Sequence, residues 1–193
     1  MKSLCIFCGS NKGKNGSYKQ AAEDLAKLLV KEDIALVYGG ASVGLMGILA
    51  DEVLKRQGKV FGVMPKSICR KEIAHGELTE LFIVDSMHAR KQKMYDLSDG
   101  FIALPGGIGT LEEFFEILTW SQLGLHKKPC GILNTDGYFD HLLKFLDHMV
   151  DEKFLKEKNR NLYLTESDPK LLLQRMTTYF PEPEPKWIDK EDV

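Results

Sequence analysis

What most constrains this chain is the way its apolar residues change period along its length. Short runs rich in β-branched and aromatic residues, at 4–8, 35–38, 60–64, 81–84, 101–104, 130–133 and 162–164, alternate with longer stretches of three-to-four-residue spacing. Residues 18–31 carry Ala22, Leu25, Ala26 and Leu29 at helix spacing, and residues 43–57 carry Leu45, Ile48, Leu49, Val53 and Leu54. Further helical patterns run over 86–98, 109–123, 139–154 and 168–179. Strand and helix in regular alternation are the mark of βαβ units, whose strands pair in parallel. The order predicts an α/β chain with a mostly parallel, six- or seven-stranded sheet and helices on both faces. Residues 66–80 are polar and read as irregular. The tail at 181–193 alternates Pro181, Pro183 and Pro185 with acids, which favours an extended backbone.

At 193 residues, the chain is long enough for one such domain and short for two. Lys plus Arg total 26 against 28 Asp plus Glu, so the basic field of a general nucleic-acid binder is missing. Apolar runs are interrupted far short of a membrane span, and the first residues are too weakly apolar for a signal peptide. The expectation is a cytoplasmic protein. Cys5 and Cys8 form a C-x-x-C, yet they fall within a strand, where residues three apart point to opposite faces. No second such pair completes a metal site, so Cys5, Cys8, Cys69 and Cys130 read as core or near-core thiols.

Parallel sheets bind ligands beyond the carboxyl ends of their strands, so the residues just after each strand matter most. Two of those ends are rich in glycine. Gly39-Gly40-Ala41-Ser42-Val43-Gly44 follows the second strand, and Pro105-Gly106-Gly107-Ile108-Gly109-Thr110 follows the fifth. Each leads into a helix N-terminus, where free N–H groups and the helix dipole favour an anion. One such loop would serve equally as a tight strand-to-helix turn; two on one sheet favour a phosphate-bearing ligand. Neither loop is a dinucleotide fingerprint, and Gly9-Ser10-Asn11-Lys12-Gly13-Lys14 lacks the ending of a P-loop. A mononucleotide or sugar phosphate fits better.

Met87, Arg90, Met94 and Leu97 share a helical stripe. An arginine on an apolar face needs a partner, which is either a structural carboxylate or a ligand phosphate. Lys91 lies one step round, solvated or at the rim of a site. After the second glycine loop, Thr110, Glu113, Ile117 and Trp120 share a face, with Glu113 read into the first turn. Glu112 and Glu116 suit the ordinary role of acids near a helix start. The histidines show no metal-ligand spacing and no G-x-S-x-G elbow occurs, leaving a site that works through Arg and Glu without metal.

Met87-His88-Ala89-Arg90-Lys91 followed by Pro105-Gly106-Gly107-Ile108-Gly109-Thr110-Leu111-Glu112-Glu113 resembles the Lonely Guy family, cytokinin riboside 5'-monophosphate phosphoribohydrolases with the older label "possible lysine decarboxylase". The family's Met-x-x-Arg-Lys and P-G-G-x-G-T-x-x-E are both matched without a gap, and Gly-Leu-Met-Gly at 44–47 also fits. One departure is Ala41, where the family often has a third glycine; a methyl is tolerated there if φ is negative. The resemblance implies a Rossmann-like catalytic domain over residues 1–180 and hydrolysis of the N-glycosidic bond of a nucleoside 5'-monophosphate, AMP or N6-modified AMP, without a cofactor. It implies Arg90 and Glu113 as the catalytic pair, Gly106, Gly107, Ile108, Gly109 and Thr110 as the phosphate loop, and Glu72, Lys91, Leu111, Glu112 and Thr119 as further substrate-binding positions. Gly40 and Gly44 would add the other glycine loop. It also implies a homodimer, for which Phe114 and Trp120 are candidates, though both serve equally as core. A lysine decarboxylase would need a Schiff-base lysine in a dedicated site, and no lysine stands in such a context. A non-catalytic nucleotide carrier or sensor on the same scaffold is the alternative, and Glu113 discriminates between the two.

Overall fold

A computed structural model of the chain describes residues 1–69, 74–179 and 181. Glu72 and the tail beyond Pro181 lie outside the described residues. The strands are β1 (Ser3–Phe7), β2 (Ala35–Tyr38), β3 (Val60–Pro65), β4 (Glu80–Val84), β5 (Phe101–Ala103), β6 (Cys130–Leu133) and β7 (Tyr163–Glu166). They form one seven-stranded sheet in the order β4-β3-β2-β1-β5-β6-β7, every neighbouring pair parallel.

Between the strands run α1 (Gly16–Lys31), α2 (Gly44–Lys55), the single turn α3 (Lys66–Cys69), α4 (Met87–Asp96), α5 (Ile108–Gln122), α6 (Asp140–Asp151), the short α7 (Glu157–Arg160) and α8 (Pro169–Thr178). Residues of α1, α2 and α8 pack on one face of the sheet, and residues of α4, α5 and α6 on the other. The five inner strands are buried on both sides, which is why they read as continuous apolar runs, while the edge strand β4 is partly exposed. Leu4, Ile6 and Cys8 enter the first core, while Cys5 and Phe7 enter the second. The C-x-x-C is therefore split across the sheet, with both thiols buried and all four cysteines free.

The element reading holds along most of the chain, with local differences. Helix α5 begins at Ile108, which moves Glu113 from the first turn to the second. The irregular stretch starts with α3, too short for periodicity to show. The helix expected over 139–154 stops at Asp151, and a 3₁₀ turn precedes it at Thr135–Gly137, made by the left-handed pair Asp136 (φ 51°) and Gly137 (φ 68°). Among the described residues, no helix is long and apolar enough to cross a membrane.

The chain builds outward from β1 through β2, β3 and β4, then returns to lay β5 against the other side of β1. The loops after β1 and β5 therefore leave the sheet in opposite directions and open a crevice at its carboxyl edge. Both sequence-marked glycine loops border that crevice.

Candidate active site

The crevice holds a cavity of about 380 Å³, lined by Gly9 and Ser10 after β1, Gly39 and Ala41 after β2, and Gly107 to Thr110 at the start of α5. Met46, Met64, Pro65 and Ile68 form an apolar wall, and Arg90 and Glu113 supply its charge.

Arg90 reaches the cavity because α4 is fixed at both ends. Ser86 caps the helix, its Oγ accepting from the Ala89 amide at 3.1 Å. Met94, one turn past Arg90, is buried in the second core. Arg90 thus lies on the inward side, as its stripe predicts, although Met87 at the start of the stripe is exposed. The Arg90 Nε donates to the Val63 carbonyl at 3.2 Å, and its Nη1 lies 2.9 Å from Glu113 Oε1. Both side chains are nearly buried, at 13% and 11% exposure. The guanidinium also needs the space that Gly39 leaves empty: a Cβ there would fall on Nη2.

Glu113 is held on α5 by Thr110 and Ile117, both buried on the same helix face. Burial pushes its carboxyl above the ordinary value of 4.5, Arg90 pulls it back, and the Glu112 charge adds to the rise. Cys8 also lines the cavity, its thiol pushed up by burial and by the Glu113 charge. A buried carboxylate and guanidinium that neutralise one another are costly to desolvate, so such a pair is poor evidence for stability. Its place in a cavity wall points to chemistry.

At the rim, α5 presents the amides of Ile108, Gly109 and Thr110, and its N-cap, Gly107, offers no side chain to satisfy them. A Cβ on Gly107 or Gly109 would meet nothing within 4 Å, so those positions are open to a ligand. Gly106 is different: a Cβ there would stand 2.8 Å from the Gly9 amide nitrogen and collide with Thr110, so this glycine locks the β5 loop against the β1 loop.

The other expected site residues take different places. Lys91 is bound to Glu112 and Glu116, 3.0 Å from the latter. Burial lowers its pKa, but the two carboxylates outweigh that and hold it above its ordinary value. These three side chains lie beside the cavity, outside its lining. Leu111 packs on the second core. Gly40 (φ 83°) accepts from the His75 amide at 3.1 Å, and Gly44 (φ 63°) abuts the Ser10 backbone; both shape loops and neither lines the cavity. Ala41 has no positive φ, so the methyl sits without strain in the lining. Thr119 donates to the Phe115 carbonyl at 2.7 Å and borders a separate groove between α5, α6 and α7. Phe114 is buried core, 1% exposed, and Trp120 packs edge-on against Tyr95. Sequence reasoning missed Gly39 and the apolar wall: Met46 looks like any helical core residue, and nothing local marks Met64, Pro65 or Ile68.

Residues 46–176 match the family model described as "possible lysine decarboxylase". A cytokinin riboside 5'-monophosphate phosphoribohydrolase of Arabidopsis thaliana is 46% identical over 180 residues, covering 93% of this chain and 79% of its own. A probable enzyme of the same name from Oryza sativa subsp. japonica is 47% identical over 180 residues, covering 93% and 72%. Among solved structures, the molybdenum cofactor binding protein of the phototrophic bacterium Rippkaea orientalis superposes with a TM-score of 0.69 at 21% identity, over 92% of this chain and 97% of that one. At that identity the likeness concerns the fold alone.

Proposed function

The chain belongs to the Lonely Guy family, and from that premise we propose that it is an N-glycosidase, hydrolysing a nucleoside 5'-monophosphate to free base and ribose 5-phosphate. The observation that carries the reading is the nearly buried Arg90–Glu113 pair in a cavity whose rim is the uncapped start of α5.

The roles follow from position. The 5'-phosphate sits on the amides of residues 107–110, and the planar base lies toward Met46, Met64, Pro65 and Ile68. That orientation puts the ribose near Glu113. As the bond from C1' to the base nitrogen breaks, its electron pair leaves with the base, which takes up a proton. The sugar gains oxocarbenium character, and a carboxylate in a partly dehydrated wall stabilises such charge strongly. Water then bonds to C1' and gives up a proton, with Glu113 oriented to receive or direct it. Arg90 holds the ribose or phosphate and keeps Glu113 in place. The decarboxylase description finds no support in this site, since no lysine is among the described residues lining the cavity.

Incubating the protein with AMP, GMP, CMP, IMP and isopentenyladenosine monophosphate, beside the matching nucleosides, tests the reading by quantifying free base. Release from monophosphates alone is the expected result and ranks the bases. Absence of release from all of them, with the protein folded, would favour a carrier.

Gly39→Ala is expected to lower kcat/KM for base release by about 10- to 100-fold while changing the melting temperature by no more than about 2 °C. The added methyl displaces only the end of a flexible side chain, yet that end is the Arg90 guanidinium. Unaltered kinetics would show that the Arg90 position is not critical.

We also take the protein to act in the cytoplasm, as its free thiols suit a reducing compartment, and to be a homodimer. The groove of about 280 Å³ between α5, α6 and α7, lined by Phe115, Leu118, Leu142, Phe145 and Met149, is apolar, and Phe145 is 53% exposed. Light scattering should give twice the chain mass, and Phe145→Glu should return a folded monomer. A monomeric wild type would remove this part of the proposal.

A further inference from the structure

On the other side of Gly107 a second cavity of about 260 Å³ adjoins the first, sharing Gly9, Ser10 and Gly107 with it. Its walls include Tyr18, Leu45, Pro105, Gly106 and Tyr138, and its mouth carries Lys12. The loop bearing Lys12 is tied down along its length. Gly13 (φ 73°) lies so close to the Tyr18 ring that a Cβ would stand 2.7 Å from it. Tyr18 packs edge-on against Tyr138 at 5.6 Å, and the Tyr138 hydroxyl donates to the Gly106 carbonyl at 2.6 Å. Farther along, Asn15 Nδ2 donates to Asp136 at 2.8 Å. The loop is thereby coupled to the same glycine turn that starts α5.

The charges around the two cavities do not balance for the proposed ligand. A phosphomonoester carries nearly two negative charges at neutral pH. Arg90 and Glu113 cancel in the first cavity, and the adjacent Lys91 is matched by two carboxylates. The start of α5 offers only about half a positive charge. Among the described residues lining either cavity, Lys12 is the remaining cation, and it has no ion-pair partner among them.

Resting on the proposed function, we infer that Lys12 is a further substrate-binding residue, the cation that closes over the 5'-phosphate from the β1–α1 loop and makes the site select monophosphates over nucleosides. The exposed ammonium is drawn inward when the dianion occupies the junction at Gly107. It contacts the phosphate and has no part in breaking the glycosidic bond, so its contribution belongs to KM.

Steady-state base release from AMP is to be measured for the wild type, Lys12→Ala, Lys12→Arg and Lys14→Ala. Lys14, exposed two residues on, lines neither cavity. Lys12→Ala is expected to raise KM for AMP about tenfold, with kcat within about twofold. Lys12→Arg should recover most of that loss, Lys14→Ala should match the wild type, and adenosine should release no base with any of the four proteins. Raising salt from about 50 to about 500 mM should weaken AMP binding more in the wild type than in Lys12→Ala. An unchanged KM in Lys12→Ala, or an equal loss in Lys14→Ala, would overturn the inference. If the wild type releases no base, the proposed function fails separately, and calorimetric binding of AMP and inorganic phosphate to the same proteins decides the role of Lys12. Equal affinity of the wild type and Lys12→Ala for both ligands, or binding of neither, would also overturn it.

Discussion

Glu113→Ala should reduce base release by roughly a thousandfold, about 4 kcal/mol in the barrier, while leaving nucleotide affinity equal or tighter. The reason is a difference in charge between the two steps. Bound substrate brings a phosphate dianion, which a carboxylate repels, so deleting Glu113 relieves the ground state and leaves Arg90 unpaired for the ligand. The transition state develops positive charge on the sugar, and that is where the carboxylate is needed. Glu113→Gln, which keeps size and fold, should behave in the same way. Base release surviving at more than about a tenth of the wild-type rate would end the proposed mechanism. Intact binding with lost release would instead separate the hydrolase from a carrier.

The same residue sets the acid limb of the pH profile. Because burial raises the Glu113 pKa, the limb of kcat/KM should lie above 4.5, the ordinary carboxylate value. Arg90 opposes the rise, so Arg90→Gln should move the limb to still higher pH, alongside its loss of rate. The linkage sign is the reverse of that for a stabilising carboxylate. Folding raises this pKa, so ionised Glu113 costs the native state stability above its folded pKa, and the cost disappears as pH falls below the unfolded value. A limb at or below 4.5 would mean that another group limits the rate.

Gly44→Ala should be the most damaging of the glycine substitutions, costing roughly 3 kcal/mol or more and about 6–12 °C in melting temperature. Gly44 has φ 63°, and a Cβ there would stand 2.5 Å from the Asn11 amide nitrogen and nearer still to the Ser10 carbonyl. Neither neighbour is a flexible side-chain end that can swing away; both belong to the β1 loop, which must shift as a unit. Gly107→Ala and Gly109→Ala meet open space, so they should change stability by less than about 1 kcal/mol and affect ligand binding instead. Denaturant unfolding of the three variants separates these outcomes. A Gly44→Ala protein within about 0.5 kcal/mol of wild type would show that the β1 and β2 loops are not locked together.

Much of the candidate site was legible from local pattern. The inward stripe of α4 marked Arg90, and the face shared by Thr110, Glu113 and Ile117 marked α5, because a helix keeps residues three and four apart on one side whatever packs against it. The split of Cys5 from Cys8 follows from the two-residue period of a strand. The start of α5 was misplaced by one residue, since glycines blur the point at which helical dihedrals begin. Gly39 was passed over for its neighbours Gly40 and Gly44: its role depends on a guanidinium 51 positions along the chain, and no local rule reports that. Thr119 carries a family match but stands on the apolar groove, away from the cavity in the single chain.

By itself, the sequence determined the alternation of six or seven strands with helices, the placing of helices on both faces of the sheet, and the glycine turns that bare the start of α5. These are consequences of side-chain period and of where a backbone can turn, and both act over a few residues. Only the tertiary structure decided that β5 returns to lie beside β1, and every feature of the cavity depends on that return. It opens the crevice, brings Arg90 of α4 to Glu113 of α5, and sets Met46, Met64, Pro65 and Ile68 along one wall. The physical reason is that these contacts join residues far apart in the chain, chosen by which packing buries two sheet faces at once, and a local period carries no information about that choice.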